Sequence, residues 1–252
     1  MDASVIVLSY NYSEVIRRLL DTIPTTIGVS YELVVVDNGS LPGPVEQLRQ
    51  YNEAGVIDTL VEEPVNRWFS EGNNIGVHAS DSRSQYILLL NSDCEIIDPL
   101  WLRKAVEWME GVPWCLPYTW SDKAERPHPG PRDIVSIGWS YDRQIPGYAR
   151  PEGWCLLIRR DIWVDISPDF PFYYGLEEML AGRIREGARC GVLCQYAKYI
   201  RHYEGGTEAG KRRHEIINKR KPDQAAWFAG LPPSDTLDFA LGDYEHRSYI
   251  EW

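Results

Sequence analysis

The chain has 252 residues, 44% of them apolar and 25% charged, the proportions of an ordinary globular protein long enough for one large domain or two small ones. A formal net charge of −11 argues against nucleic acid or an anionic membrane as the main partner, yet leaves room for a local cation site built from carboxylates. No apolar run reaches the about 18 residues of a membrane span, and no basic stretch precedes the short apolar run in MDASVIVLSYNYSE. Neither a transmembrane segment nor a signal peptide is therefore expected, and the expected location is the cytoplasm. The 5 cysteines, an odd count, read as reduced thiols. Cys190 and Cys194 lie in a strand-like stretch without a second pair, which disfavours zinc.

In chain order, SVIVLS at 4–9 is an apolar run of strand length. Ser13 fits the N-cap of a helix in which Val15, Ile16, Leu19, Leu20 and Ile23 share one face. ELVVVDNGS at 32–40 is a β-branched strand running into turn residues, and 44–55 reads as a helix closed by Gly55. VIDTLVEE at 56–63 is a third strand, SEGNNIGVHAS a short helix, and YILLL at 86–90 a fourth strand. Asp98-Pro99 has the chemistry of an N-cap followed by Pro at the first helical position, opening an amphipathic helix over LWLRKAVEWM. Residues 111–152 are rich in Pro, Gly and Trp, with weak periodicity, and read as a long loop with a strand at 134–139. The spacing then predicts a strand and short helix over 153–163, a helix over 177–188 and a strand over 190–200. From about 207 a basic helix leads into a polar tail with an acidic, aromatic end, a candidate surface for a second copy of the chain.

Alternating strands and helices with fully apolar strands predict an α/β fold: a mostly parallel central sheet, helices on both faces, and a C-terminal helical tail. Ligands of such sheets bind at the carboxyl ends of the strands. That rule selects Ser9, Tyr10 and Asn11, then Asp37 and Asn38, then Asn91, Ser92 and Asp93.

Asp37 precedes Asn38-Gly39, strong turn chemistry; the alternative is an acceptor for nucleobase N–H groups or a ribose hydroxyl. Asp93 follows an apolar strand, where a carboxylate must reach the rim or bind a cation. Mg2+ or Mn2+ needs only one or two protein carboxylates, the remainder of its shell being water and phosphate oxygens. Asn91 and Glu95 are candidate helpers. His202 becomes a nitrogen ligand if the sheet brings it beside Asp93. Glu177 and Glu178 follow the aromatic run FPFYYG; they suit a helix N-terminus, or one of them serves as a general base. No G-x-G-x-x-G, G-x-x-x-x-G-K-[ST] or G-x-S-x-G occurs, which disfavours Rossmann, P-loop and nucleophile-elbow enzymes.

Five stretches in order resemble the GT-A fold glycosyltransferases of family 2, in particular rhamnosyl- and galactofuranosyltransferase-like members. They are VIVLSYN (5–11), ELVVVDNGS (32–40), NRWFSEGNNIG (66–76), LLLNSDCEI (88–96), and the acceptor half from GWCLLIRRDIW through FYYGLEEMLAGRIREGARCGVL to HYEGG. The likeness covers about 3–207 and implies a domain over 1–206, with a nucleotide-binding half to about 98 and an acceptor half from about 99, then a tail over 207–252.

The resemblance implies inverting transfer of a sugar from a nucleotide diphosphate sugar to a hydroxyl of a carbohydrate or glycolipid acceptor. Asp93 and His202 would hold Mn2+ or Mg2+ on the diphosphate. Ser9, Tyr10, Asn11, Asp37, Asn38, Asn73, Asn74, Asn91 and Ser92 would meet the donor. Glu177 would be the base, with Glu178 its rival. Trp114, Trp120, Trp139, Trp154 and Tyr174 are candidate faces for acceptor sugar, although core packing is the commoner fate of Trp. The basic run Lys211, Arg212, Arg213 reads as a solvated helix face, with a diphosphate lid as the sharper alternative.

The chain departs from the family pattern in places. Leu176 and Met179 stand where the family carries acids, Arg67-Trp68 is read in place of its Gly-Phe, and Leu41-Pro42 replaces the third acid of the nucleotide turn. A nucleotidyltransferase-like enzyme would share the sheet and acidic site, but it opens with a Gly-rich basic loop that Ser9-Tyr10-Asn11-Tyr12 is not. A non-catalytic carbohydrate-binding relative is the second rival, supported by Leu176 and Met179.

Overall fold

The protein is described by a computed structural model at residues 1–11, 13–111, 131–141, 149–192, 199–203, 218–221, 223 and 226. Trp114, Trp120, Cys194 and Lys211, Arg212, Arg213 lie outside these residues. The elements run β1 (Ala3–Ser9), α1 (Ser13–Thr22), β2 (Tyr31–Asn38), α2 (Pro42–Glu53), β3 (Thr59–Glu63), α3 (Trp68–Ala79), β4 (Tyr86–Asn91), β5 (Cys94–Ile96) and α4 (Trp101–Met109). They continue with β6 (Ile134–Tyr141), β7 (Ala149–Arg159), α5 (Gly175–Arg185), β8 (Cys190–Val192) and β9 (Ile200–His202).

Seven strands form one sheet in the order β3-β2-β1-β4-β7-β6-β8. The β3-β2-β1-β4 half is parallel, β7 pairs antiparallel with β4 and β6, and β8 is parallel to β6. The apolar strand runs build this because alternate residues point to opposite faces and both faces are covered. Val5, Val7, Val35, Leu88, Leu90 and Leu157 pack with Ile16, Leu19 and Leu20 of α1, Leu48 of α2 and Trp101 of α4. Ile6, Val34, Ile87, Leu89, Leu156 and Ile158 pack on the other side with Val77 of α3 and Leu176, Met179 and Leu180 of α5. Leu176 and Met179, the two departures from acidic positions, are thus core residues.

Helix α3 lies tight on β1. A Cβ on Gly72 would stand 2.5 Å from Leu8 Cδ1, and one on Gly76 2.4 Å from Ile6 Cγ2. Both contacts are far inside normal packing distance; at Gly76 the obstacle is the β-branched Ile6, so glycine is needed there, whereas at Gly72 the end of the Leu8 side chain would have to swing away.

Three local expectations are corrected. The strand expected over 190–200 is two strands in different sheets: β8 joins the large sheet, while β9 pairs antiparallel with β5. Helix α4 begins at Trp101 rather than at Pro99, because Asp98 closes a turn first; its Oδ1 accepts from Leu100 N–H at 2.8 Å and its carbonyl from Trp101 N–H at 3.1 Å. Helix α1 begins at Ser13 itself, the residue expected to cap it.

Of the thiols, those of Cys94 and Cys155 are pushed well up by burial, and that of Cys190 is pushed up to about 12. Protonated thiols of this kind make poor metal ligands. Among the described residues no helix is long and apolar enough to cross a membrane.

Candidate active site

Parallel pairing puts three chain ends on one rim. Ser9 lies opposite Asp37, and Leu8 opposite Asn91. The antiparallel strand β7 enters the sheet at the same edge, since Cys155 pairs with Leu90. Trp154 therefore stands beside the end of β4. Tyr10 is 43% exposed on this rim, an exposed aromatic next to buried Ser9.

Asp37 does two things at once. Its Oδ2 accepts from Ser40 N–H at 3.1 Å, which is the turn expected of Asp-Asn-Gly. Its Oδ1 is buried and has no donor. Gly39 at φ 75 makes the turn possible, since a Cβ there would meet Val65 C at 2.5 Å. Leaving a buried acceptor unpaired costs about 1–3 kcal/mol, which a ligand N–H or O–H would recover.

The asparagines hold the rim together more than they line it. Asn11, at φ 60, donates its backbone N–H to Ser40 Oγ and accepts from Leu41 N–H on its Oδ1. Asn38 is buried; its Nδ2 reaches Asn66 Oδ1 and the Trp68 carbonyl, and its Oδ1 accepts from Arg67 N–H at 2.7 Å. Asn73 Nδ2 donates to the Phe69 carbonyl within α3. Asn74 spends both ends of its amide on the backbone of Ile166. These bonds tie β2 to the start of α3 and α3 to the segment at Ile166, and so brace the rim. Among the described residues the side chains of Asn91 and Ser92 make no hydrogen bond, and both remain half-buried on the rim.

Trp68 was not singled out for its backbone. It opens α3 at φ 62, a left-handed conformation that is an outlier for a bulky residue. This corrects the motif pairing: aligned on Asn66 and Phe69, the family's Asn-x-Gly-Phe places Trp68, not Arg67, at the glycine. That offset was the available signal.

Asp93 sits in the turn between β4 and β5, and His202 ends β9 directly opposite Cys94. Tyr203 N–H donates to the Asp93 carbonyl at 2.8 Å and locks the two segments. His202 Nε2 and Asp93 Oδ1 are 3.1 Å apart, yet both atoms are buried without a properly aligned hydrogen bond. An octahedral ion with ligand distances of about 2.1 Å separates neighbouring ligand atoms by about 3.0 Å, so this orphaned N,O pair fits a hard divalent cation. Among the described residues no third His, Cys, Asp or Glu joins them. Glu95 turns away: its Oε2 accepts from Tyr203 Oη and pairs with Arg201 at 3.4 Å. The imidazole of His202 lies flat on the Trp154 indole, with centroids 4.6 Å apart and planes 5° from parallel.

The two glutamates open α5, where the helix dipole favours acids. Tyr174, at φ 74, precedes the helix, and the start of α5 is fastened to α3 through Ser70, whose N–H donates to Pro171 O and whose Oγ donates to Phe170 O. Glu178 is held in an ion pair by Arg220, which also pairs with Asp169 at 3.2 Å and lies 4.1 Å over the Phe170 ring. Glu177 is half-buried, and its charge adds to desolvation in raising the Tyr173 hydroxyl above its ordinary value. Arg220 was missed in the sequence because nothing in a basic tail tells one arginine from another. Trp139 lies in β6 opposite Pro151.

The sequence model described as "Glycosyl transferase family 2" matches residues 4–143. A search of curated protein sequences returns no match. Solved structures do match. A mannosyltransferase from Pyrobaculum calidifontis, in complex with GDP-Man and Mn2+, aligns at TM-score 0.59 and 17% identity, covering 97% of this chain and 75% of that one. S. aureus TarS 1-349 aligns at TM-score 0.58 and 15% identity, covering 100% and 76%. Glucosyl-3-phosphoglycerate synthase from Mycobacterium tuberculosis, in complex with Mn2+, UDP and phosphoglyceric acid, aligns at TM-score 0.55 and 15% identity, covering 89% and 80%. Identities this low carry the fold. The family match includes Asp37 and Asp93 but ends before α5 and β9.

Proposed function

This chain belongs to glycosyl transferase family 2 and has the GT-A fold, and from that premise we propose that it transfers a sugar, with inversion, from a nucleotide diphosphate sugar to an acceptor hydroxyl on a glycan or glycolipid. The observation that carries the proposal is the pair of orphaned atoms, Asp93 Oδ1 and His202 Nε2, 3.1 Å apart on the rim that also holds the orphaned Asp37 Oδ1. The Mn2+ in the mannosyltransferase and synthase structures supports a divalent cation at that pair.

Asp93 and His202 would hold Mn2+ or Mg2+. Bound there, the cation neutralises charge on the departing diphosphate. Asp37 Oδ1 accepts an N–H or O–H of the nucleoside. Glu177 takes the proton of the acceptor hydroxyl as it attacks. Glu178 is the weaker candidate, because Arg220 occupies its carboxylate. Held on this rim, donor and acceptor would meet in line, and such orientation supplies much of the rate.

The test is a thermal-shift screen of nucleotide diphosphate sugars with and without Mn2+, followed by transfer assays with the donors that bind. A Mn2+-dependent rise in melting temperature with one nucleotide class, lost in Asp93→Ala and His202→Ala, is the expected result. The anomeric configuration of the product, read by NMR, decides inversion. Failure of every nucleotide sugar to bind or be cleaved would leave a carbohydrate-binding relative of the fold.

A further inference from the structure

We propose that Trp154 is a positioning residue that sets the metal affinity of the site through its stack on His202; the inference rests on the metal site proposed above. Trp154 is next to the end of β4, and its indole covers one face of the imidazole at 4.6 Å and 5°. Histidine ligands are usually oriented by a hydrogen bond from the second ring nitrogen. Among the described residues the ring of His202 makes none. Its orientation rests on the β5–β9 pairing and on the indole.

The stack does more than hold a rotamer. An imidazole bound to a divalent cation is drained of electron density, and the electron-rich indole face attracts it more strongly than it attracts the free ring. The interaction therefore favours the metal-bound state over the empty one, and only such a difference raises affinity. The stack also uses one face of the indole that would otherwise be offered to an acceptor sugar. Flat packing needs a slab-shaped partner. Phe can supply that, whereas Leu fills similar apolar space without a π face.

The experiment compares Trp154→Phe and Trp154→Leu in the full chain. Mn2+ binding is titrated by loss of the free-ion EPR signal, first with Mn2+ alone and then with UDP or GDP added, and circular dichroism checks the fold. Trp154→Leu is expected to weaken Mn2+ about tenfold and Trp154→Phe no more than about threefold. In a His202→Ala background the two should bind alike, because the stacked ring is gone. Equal Mn2+ affinity of the Phe and Leu variants beside intact His202 would overturn the proposal. So would a Phe–Leu difference that persists without the imidazole. Loss of acceptor-dependent turnover with unchanged Mn2+ binding would overturn it too, assigning the indole to the acceptor. Asp93→Ala separates the two levels: if it leaves Mn2+ binding unchanged, the metal site itself fails, whatever Trp154 does.

Discussion

At the amino end of the sheet, Arg160 donates to Ser84 O and Oγ, Ser4 Oγ and Ser80 Oγ, while Glu32 Oε1 accepts from Ser4 Oγ and Asp81 N–H. At the carboxyl end, Asp37 Oδ1, Asp93 Oδ1 and His202 Nε2 are buried with no hydrogen bond. Around Arg160 the sheet thus satisfies its buried polar atoms, and around Asp37, Asp93 and His202 it leaves them wanting. Backbone strain divides the same way: the non-glycine residues with positive φ among the described residues are Asn11, Trp68 and Tyr174, which follow β1, open α3 and precede α5. A closed network holds a fold together. Orphaned atoms and strained residues gathered on one rim mark a place built for something that is not protein.

The largest expected effect breaks the open end. Asp93→Ala should lower transfer at least about a thousandfold, about 4 kcal/mol of transition-state stabilisation, while the melting temperature holds or rises. Stability need not fall, because the variant removes a buried acceptor that nothing in the free protein satisfies. A large fall in both activity and stability would make Asp93 a structural residue and end the contrast.

Arg160→Met is the reciprocal change. Desolvation holds the guanidinium below its ordinary value, and the charges of Glu32 and Asp81 oppose that shift. Removing the cation takes away the charge that faces Glu32, which is 8% exposed, and a donor to each of three serines. A loss of about 3 kcal/mol in urea unfolding is expected, with turnover per folded molecule unchanged. Turnover that falls with stability intact would show that the amino end takes part in the chemistry.

Glu177→Gln and Glu178→Gln sharpen the rim itself. The first should cost at least about a hundredfold in turnover, with donor binding kept, as loss of a general base does. The second leaves turnover near wild type and costs about 0–1 kcal/mol of stability, since the Arg220–Glu178 pair is 41% and 28% exposed. Arg220→Ala, which also removes the pair with Asp169 and the cation over Phe170, should cost more than Glu178→Gln in unfolding assays. The reverse assignment, Glu178→Gln inactive and Glu177→Gln active, would move the base.

The carboxyl rim was legible because β1, β2 and β4 are unbroken apolar runs that stop on Ser, Asp or Asn. Parallel pairing then had to align Ser9, Asp37 and Asn91. The partner of Asp93 was legible only through the resemblance. Residues 190–200 read as one apolar stretch, and nothing local in it says that β8 and β9 enter different sheets. Pairing across a hundred residues is a tertiary fact. Glu95 shows the same limit: alternation placed it with Asp93, but the turn at 92–93 breaks the strand, and Tyr203 and Arg201 take the carboxylate. Asn38 at the end of β2 and Asn74 within α3 show the limit again: bracing a neighbouring segment and binding a donor use the same amide, and a sequence does not separate the two.

The smallest effect tests whether the strain at the rim is real, and Trp68 is the place to ask. An L-residue in the left-handed region costs roughly 1–2 kcal/mol relative to its relaxed backbone, and glycine does not bear that cost. Trp68→Ala and Trp68→Gly delete the same ring, so lost packing cancels between them and the backbone remains. On a right-handed helix Ala would be the more stable by about 1 kcal/mol; at φ 62 the order should invert, with Gly ahead by about 1 kcal/mol in urea unfolding. If Ala is the more stable, the backbone at Trp68 relaxes freely and the strain is not stored. If Gly is ahead while both variants bind nucleotide sugar more weakly than wild type, the chain tolerates a strained tryptophan at a glycine position because the ring serves the donor side of the rim. The carboxyl end would then have given up stability through its backbone as well as through its unpaired atoms.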